Sequence, residues 1–132
     1  MEISCGVVLV NFGTVLLLQY PQGHWDLPKG HVEDDEEYTE TMKRELGEET
    51  GIEEITIVPN FHLTTEYSFK HKGKSVKKQV HWYLAHTEQL RVTLSNEHRD
   101  YIWLDWESAM KLITHHETRE VVKNAQQFLH HS

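Results

Sequence analysis

Residues Gly30–Ile52 read GHVEDDEEYTETMKRELGEETGI, and this segment is the most informative part of the chain. Glu45, Glu48 and Glu49 stand at positions i, i+3 and i+4, so a helix would bring their side chains together on one side. Three neighbouring carboxylates at this spacing have two interpretations, a solvated acidic surface or a metal-binding site.

The apolar residues of the same segment favour the metal site. At about 100° per residue, Met42 and Leu46 fall on the same side of the helix as Glu45 and Glu49, while Lys43 falls on the far side. A solvated face would place its acids opposite the apolar stripe. Carboxylates that point toward the protein body repel each other unless a cation or a proton lies between them. Mg²⁺ or Mn²⁺, which prefer oxygen ligands, would remove that repulsion.

The ends of this helix are also marked in the sequence. Asp34 or Asp35 is predicted to cap it, because a short acidic side chain accepts hydrogen bonds at a helix N-terminus. Gly51 is predicted to end it, which gives a helix over about Glu36–Thr50. Gly47 in the interior of the helix should lower helix stability by about 1 kcal/mol relative to alanine, and the sequence offers no reason for a glycine there.

The segment matches the Nudix box, G-x5-E-x7-R-E-U-x-E-E-x-G-U with U aliphatic, at every fixed position. The chain therefore resembles the Nudix hydrolases. The resemblance implies an α/β fold, an α/β/α sandwich around a mixed β-sheet. It also implies metal-dependent cleavage of a nucleoside diphosphate linked to another group, with Mg²⁺ as cofactor and Mn²⁺ as a possible substitute. Arg44 would hold a catalytic glutamate through charge-assisted hydrogen bonds; a surface ion pair is its alternative role.

Length and composition set further bounds. The chain has 132 residues, of which 38% are hydrophobic, enough for one globular domain over residues 1–132. No apolar run is long enough to span a membrane. The N-terminus lacks the basic region of a signal peptide and Cys5 is the sole cysteine, so we expect a cytoplasmic protein in which Cys5 is a small buried hydrophobe.

The charge balance bears on possible partners. A net charge of −8 disfavours nucleic-acid binding, but it is compatible with a polyphosphate substrate because a bound metal reverses the local field. The histidines lack the spacing of a zinc site. The oligomeric state is left open between monomer and homodimer.

Hydrophobic periodicity predicts an α/β domain in which strands alternate with helices. A hairpin rich in lysine and histidine is expected near Phe69–Ser75. The predicted strands are Ile3–Val10, Val15–Tyr20, Ile55–Tyr67, Val80–His86 and Tyr101–Trp103, and the predicted helices besides the first are Trp106–Ile113 and Thr118–Leu129.

Three further segments resemble one Nudix subfamily, the asymmetric diadenosine tetraphosphate hydrolases of the animal and archaeal type. These are the W-x-x-P-K-G-H run at Trp25–His31, the basic and then aromatic run at Lys77–Ala85, and Asn96–Leu104. The resemblance implies cleavage of diadenosine tetraphosphate to ATP and AMP, with Glu97 joining the box glutamates as a metal ligand. Lys29 and His31 are candidate phosphate ligands, or simply exposed loop residues.

The same resemblance implies that an aromatic residue stacks on adenine, and Trp82 and Tyr83 are the candidates. Neighbours on a strand face opposite sides, so one should line the site while the other packs elsewhere. We favour Tyr83 slightly, with core packing as the alternative role of each. Lys78 would contact a distal phosphate or merely keep a loop soluble.

The expected mechanism is attack of a metal-activated water at phosphorus. Glu48 is the predicted general base, with Glu45 as the alternative, and Lys29 and His31 would stabilise charge on the leaving phosphate. The alternative activities are RNA 5′-pyrophosphate removal, diphosphoinositol polyphosphate hydrolysis and other Nudix pyrophosphatase reactions. A non-catalytic nucleotide sensor is less favoured because its box should be broken.

Overall fold

The structure, a computed structural model, describes residues 1–131. It contains eight strands and three helices within that range. In chain order these are β1 Glu2–Asn11, β2 Thr14–Gln19, β3 Trp25–Asp26, β4 Lys29–His31, α1 Tyr38–Thr50, β5 Thr56–Ile57, β6 Leu63–His71, β7 Lys74–His86, β8 Asp100–Asp105, α2 Trp106–Leu112 and α3 His116–His130.

The strands form one mixed sheet. Its main path runs β3-β2-β1-β7-β5, while β4 pairs with β1, β6 with β7 and β8 with β2. The β1–β7 pair is parallel and the other pairs are antiparallel. The central strand β1 is apolar on both faces: Val7 and Leu9 point to one side and Val8 and Val10 to the other, all buried. A strand that is covered on both faces needs this continuous apolar pattern.

Helices cover both faces of the sheet. Met42 and Leu46 of α1 pack in the same apolar cluster as Val7, while Ala109 of α2 and Val122 of α3 pack with the residues of the opposite face. The predicted α/β/α sandwich is therefore confirmed. Within residues 1–131, no helix has both the length and the apolarity that crossing a membrane requires.

The predicted strand Ile55–Tyr67 is wrong as a single element. The chain forms β5, then turns at Pro59 and Asn60, where Asn60 has φ 72°, and only then enters β6. Proline lacks the N–H that a strand needs, and a positive φ breaks the extended backbone. The strand β7 begins six residues before the predicted Val80, because β6 and β7 continue as a long hairpin.

The predicted N-cap of the first helix is also wrong. The helix α1 begins at Tyr38 and its N-cap is Glu37, whose backbone N–H donates to Oε1 of Glu40 at 3.0 Å. Asp35 lies instead in the preceding turn with φ 63°. The prediction for Gly51 is confirmed, since this residue ends α1 in the left-handed conformation with φ 73°.

Candidate active site

The helix α1 and the short strand β4 meet at Gly30. Gly30 pairs with Cys5 of β1, and its open side faces α1. A Cβ atom on Gly30 would overlap the carboxyl group of Glu45. The absence of a side chain at Gly30 therefore makes room for a carboxylate that the sequence predicted to bind metal.

Arg44 holds the glutamates of this helix in place. Its Nε and Nη2 donate to the two carboxylate oxygens of Glu36 at 2.6 and 3.1 Å, and Nη1 donates to Glu45 at 2.9 Å and to Glu48 at 3.2 Å. A further bond from Nη2 reaches the carbonyl oxygen of His31 at 2.9 Å. The hydrogen bonds from Arg44 lower the pKa of Glu36 to about 2, so this carboxylate stays ionised. Arg44 therefore contacts Glu36, Glu45 and Glu48, and its role in positioning a catalytic glutamate stays a prediction.

Glu49 is the most deeply buried carboxylate of the site. It is 4% exposed and accepts a hydrogen bond from the backbone N–H of Lys29. Its Oε1 atom is buried and has no hydrogen-bond partner among the described residues. Burial, followed by the negative charge of Glu45, raises the pKa of Glu49 to about 9. A buried carboxylate with an unpartnered oxygen favours protonation or binding of a cation.

Glu97 lies close enough to act on the same carboxylates. Its charge contributes to the raised pKa of both Glu45 and Glu49, after the larger contribution of burial. Next to it, Nε2 of His98 lies 4.0 Å from Oε2 of Glu49. Burial lowers the pKa of His98, which favours the neutral imidazole. Glu97 therefore lies near the glutamates of α1, and its role as a metal ligand stays a prediction.

The donor set fits a hard divalent cation. Glu45, Glu49 and Glu97 lie close enough for their charges to interact, one buried oxygen of Glu49 has no partner, and carboxylate oxygens are the ligands that Mg²⁺ prefers. No three acidic, histidine or cysteine side chains in residues 1–131 already stand in a metal-binding arrangement. Glu45 and Glu48 instead accept hydrogen bonds from the guanidinium group of Arg44.

A column of rings leads from the glutamates along the sheet. The Tyr20 hydroxyl donates to the carbonyl oxygen of Leu27 at 2.9 Å, and its ring contacts His98 at 4.7 Å between centroids and stacks on His24 at 4.9 Å. His115 contacts His24 edge-on at 5.6 Å. Sequence analysis did not identify Tyr20, His24 or His115, because they come from separate elements and form no motif.

The column ends at a cavity of about 380 Å³. Trp82 lies at its base, 1% exposed, with its indole N–H donating to Oγ1 of Thr65 at 2.9 Å. The Lys29 ammonium lies 6.0 Å from the centre of the Trp82 ring and 3.7 Å from Asp26. Tyr67 lines the outer side. This volume is typical of a small-molecule site, for which about 300–1,000 Å³ is usual.

The strand alternation separates the two aromatic candidates. Tyr83 lies on the opposite face of β7, in the apolar cluster that includes α1, and stacks on His62 at 5.1 Å. The structure therefore brings Trp82 together with Lys29 and does not bring Tyr83 there. Lys78 reaches the rim of the cavity, with Nζ 5.9 Å from the centre of the Tyr67 ring.

His31 occupies a more peripheral position than Lys29. Its imidazole is 64% exposed and lies 3.3 Å from Glu2 Oε1. A larger open cavity of about 740 Å³ lies at the other end of β1, beside Phe12 and Trp106. That cavity contains none of the predicted site residues, so size alone does not mark the site in this fold.

Comparisons with known proteins agree with this geometry. A family model described as NUDIX domain matches residues 2–125. The asymmetrical bis(5′-nucleosyl)-tetraphosphatase of Mus musculus is 39% identical over 120 residues, which cover 86% of this chain and 79% of that protein. The enzyme of the same name from Caenorhabditis elegans is 37% identical over 118 residues, covering 86% and 83%. A crystal structure of a C. elegans Ap4A hydrolase binary complex matches with a TM-score of 0.86 and 31% identity, covering 100% of both chains.

Proposed function

The chain belongs to the Nudix family, and from this premise we propose that it hydrolyses diadenosine tetraphosphate (Ap4A) to ATP and AMP with Mg²⁺ as cofactor. Mn²⁺ is the expected substitute. The observation that carries the proposal is the connection of the glutamate cluster, through Tyr20 and His24, to a cavity with Trp82 and Lys29 at its base. Carboxylates suit the metal, lysine suits phosphate, and aromatic rings suit a nucleobase.

The predicted site residues other than Tyr83 each have a role in this proposal. Glu45, Glu48, Glu49 and Glu97 hold the metal, and the burial of Glu49 supports its part in this role. When bound, Mg²⁺ supplies charge neutralisation and activation of the attacking water. Glu48 takes the proton of that water; its side chain is 58% exposed, so water can reach it. Glu45 remains the alternative base.

The remaining site residues bind the substrate. Lys29 contacts the phosphate chain from the base of the cavity and His31 contacts it from the rim. Trp82 supports the nucleobase, and Lys78 meets the distal phosphates. Because all of these side chains belong to one chain, the site is complete in a monomer or in each copy of a homodimer. We place the reaction in the cytoplasm, which the single cysteine supports.

The test is incubation with Ap4A and Mg²⁺, with and without EDTA, followed by separation of the products by ion-exchange chromatography. We expect ATP and AMP in equal amounts and no products with EDTA. ADP as the sole product would mean symmetric cleavage and would contradict the proposal. The same preparation could instead cleave RNA 5′-triphosphates or diphosphoinositol phosphates and leave Ap4A intact. The protein would then be a Nudix hydrolase with a substrate other than Ap4A.

A pair of variants tests the general base. Glu48→Gln removes the proton acceptor and should lower kcat by at least about 100-fold, with a much smaller change in KM. Glu53→Gln makes the same chemical change on an exposed residue just beyond α1 and should leave kcat unchanged. A Glu48→Gln enzyme with near-normal kcat would exclude Glu48 and direct the search to Glu45.

A further inference from the structure

The segment between β7 and β8 is attached to the last turn of α1. The backbone N–H of Thr93 donates to the carbonyl oxygen of Thr50 at 2.8 Å, and the backbone N–H of Ser95 donates to the carbonyl oxygen of Glu49 at 3.3 Å. Farther along the segment, Nε2 of His98 lies 4.0 Å from Oε2 of Glu49. The two backbone hydrogen bonds therefore hold this segment where His98 meets the side chain of Glu49.

Ser95 orients the imidazole of His98. Its Oγ accepts a hydrogen bond from the backbone N–H of Glu97 at 3.3 Å and lies 3.3 Å from Nδ1 of His98. Because this oxygen already accepts from Glu97, its own O–H proton is left to donate to Nδ1. A neutral imidazole whose Nδ1 accepts a hydrogen bond carries its proton on Nε2. The hydrogen-bond pattern thus assigns the Nε2–H form to His98.

The Nε2–H of His98 and the carboxylate of Glu49 are two buried polar groups that face each other. The side chains are 1% and 5% exposed, respectively. Nε2 of His98 and Oε1 of Glu49 are both buried, and neither has a hydrogen-bond partner within residues 1–131. The 4.0 Å between Nε2 and Oε2 is about 1 Å longer than an N–H···O hydrogen bond. Hydrogen bonds of active sites are often long without a ligand and shorten when the ligand binds.

We propose that His98 is a positioning residue, whose Nε2–H, oriented by Ser95, donates to the carboxylate of Glu49 when that carboxylate holds the divalent metal. This inference rests on the proposed function, in which Glu49 is a metal ligand. A carboxylate that binds a cation is ionised and can only accept hydrogen bonds, so an N–H group is the partner that suits it. His98 acts through Glu49 and fixes the direction from which this carboxylate reaches the metal.

Binding of Mn²⁺ to the purified protein, measured by electron paramagnetic resonance of the free ion, tests the inference without reference to turnover. His98→Phe keeps a ring but removes both nitrogen atoms, and should raise Kd for Mn²⁺ about 10- to 100-fold. His98→Gln keeps an N–H donor and should restore most of the affinity. His81→Phe is the matched control, because His81 is equally buried, at 8% exposed, but bonds to His62 and Gln79 instead. It should leave Kd unchanged.

The same changes in the Glu49→Gln protein test whether His98 acts through Glu49. Without the carboxylate that it holds, His98→Phe should change Kd by less than about two-fold. Ser95→Ala should raise Kd about five-fold in the wild type, the effect of losing one hydrogen bond, and should also have little effect in the Glu49→Gln protein. Because Ser95 bonds to Glu97 as well, an effect of Ser95→Ala that persists there would act through Glu97 and not through Glu49.

The outcomes separate this inference from the proposed function. If Glu49→Gln binds Mn²⁺ as tightly as the wild type, the proposed metal site is refuted, and the inference with it. If Glu49→Gln weakens binding, the site stands, and the positioning role is overturned when the His98 and Ser95 variants leave Kd unchanged or keep their effects in the Glu49→Gln protein. A His98→Gln protein as weak as His98→Phe would overturn the hydrogen bond. Should circular dichroism show that His98→Phe does not fold, His98→Gln and Ser95→Ala decide the test.

Discussion

At the scale of single residues, Gly30 is required by packing and not by backbone conformation. Its position opposite Cys5 on an ordinary strand pair would allow any residue. A methyl group there would nevertheless occupy the place of the Glu45 carboxyl group. The atoms that would collide are at the end of a flexible side chain, so the protein can fold around the methyl group by moving Glu45.

Gly30→Ala should therefore lower activity without unfolding the protein. Displacing a carboxylate of the proposed metal site by about 1 Å can lower kcat/KM by about 100-fold. The measurement is kcat/KM for Ap4A, with circular dichroism to verify the fold. Gly47→Ala is the matched control, because a Cβ atom at Gly47 meets nothing within 4 Å. Full activity of Gly30→Ala would show that Glu45 does not need its present position.

The choice between Trp82 and Tyr83 shows where prediction from single residues ends. Strand periodicity correctly placed the two rings on opposite faces of β7. It could not decide which face holds the cavity, because that depends on where β4 and α3 pack, and β4 is a three-residue strand without a hydrophobic pattern of its own. Tyr20 and His24 were missed for the same reason, since only the fold brings Tyr20 near Glu49 and stacks His24 on Tyr20.

At the scale of elements, α1 was predictable because its constraints are local. The spacing of Glu45, Glu49 and the apolar residues fixes which side of the helix is buried, and both Met42 and Glu49 are indeed buried. The N-terminus was mispredicted because Asp34 and Asp35 are good capping residues that the preceding turn uses differently. Local preference favours a cap, but the path of the chain decides which residue provides it.

Gly47 in the middle of α1 yields a prediction at this scale. Nothing in the structure explains the glycine, since space for a Cβ atom is open. Gly47→Ala should therefore raise the free energy of unfolding by about 1 kcal/mol, because alanine loses less backbone entropy in a helix. Urea denaturation at fixed pH measures the change. A decrease in stability would mean that the helix needs the conformational freedom of glycine at this point.

At the scale of the whole molecule, the charge distribution links folding to the metal. The chain has 21 acidic and 13 basic residues, and its fold buries Glu49 beside Glu45 while Arg44 is engaged mainly by Glu36. In the absence of a cation, the fold accommodates Glu49 best in its protonated form. Stability should therefore depend on both pH and divalent metal.

The pH dependence follows from the pKa of Glu49, which burial and the charge of Glu45 raise from 4.5 to about 9 in the folded protein. Between pH 4.5 and about 9, Glu49 has lost its proton in the unfolded chain but keeps it in the folded chain. The stability that Glu49 contributes is therefore complete below pH 4.5 and is lost as pH rises through about 9. In EDTA, the free energy of unfolding should fall across this window, and Glu49→Gln should reduce the fall while Glu53→Gln should not.

Divalent metal should counteract that loss, because the proposed site would bind it through ionised carboxylates that the folded chain holds near one another and the unfolded chain does not. At a Mg²⁺ concentration about 100 times Kd, the gain is about 2.7 kcal/mol. This gain in the free energy of unfolding should be largest at high pH, where the metal does not have to displace a proton from Glu49. The gain should be smaller in the Glu49→Gln variant than in the wild type. Urea denaturation of both proteins with Mg²⁺ or EDTA measures it without reference to turnover. If Mg²⁺ stabilised the wild type and Glu49→Gln equally, the metal would bind elsewhere. The buried, unpartnered oxygen of Glu49 would then have no role in metal binding.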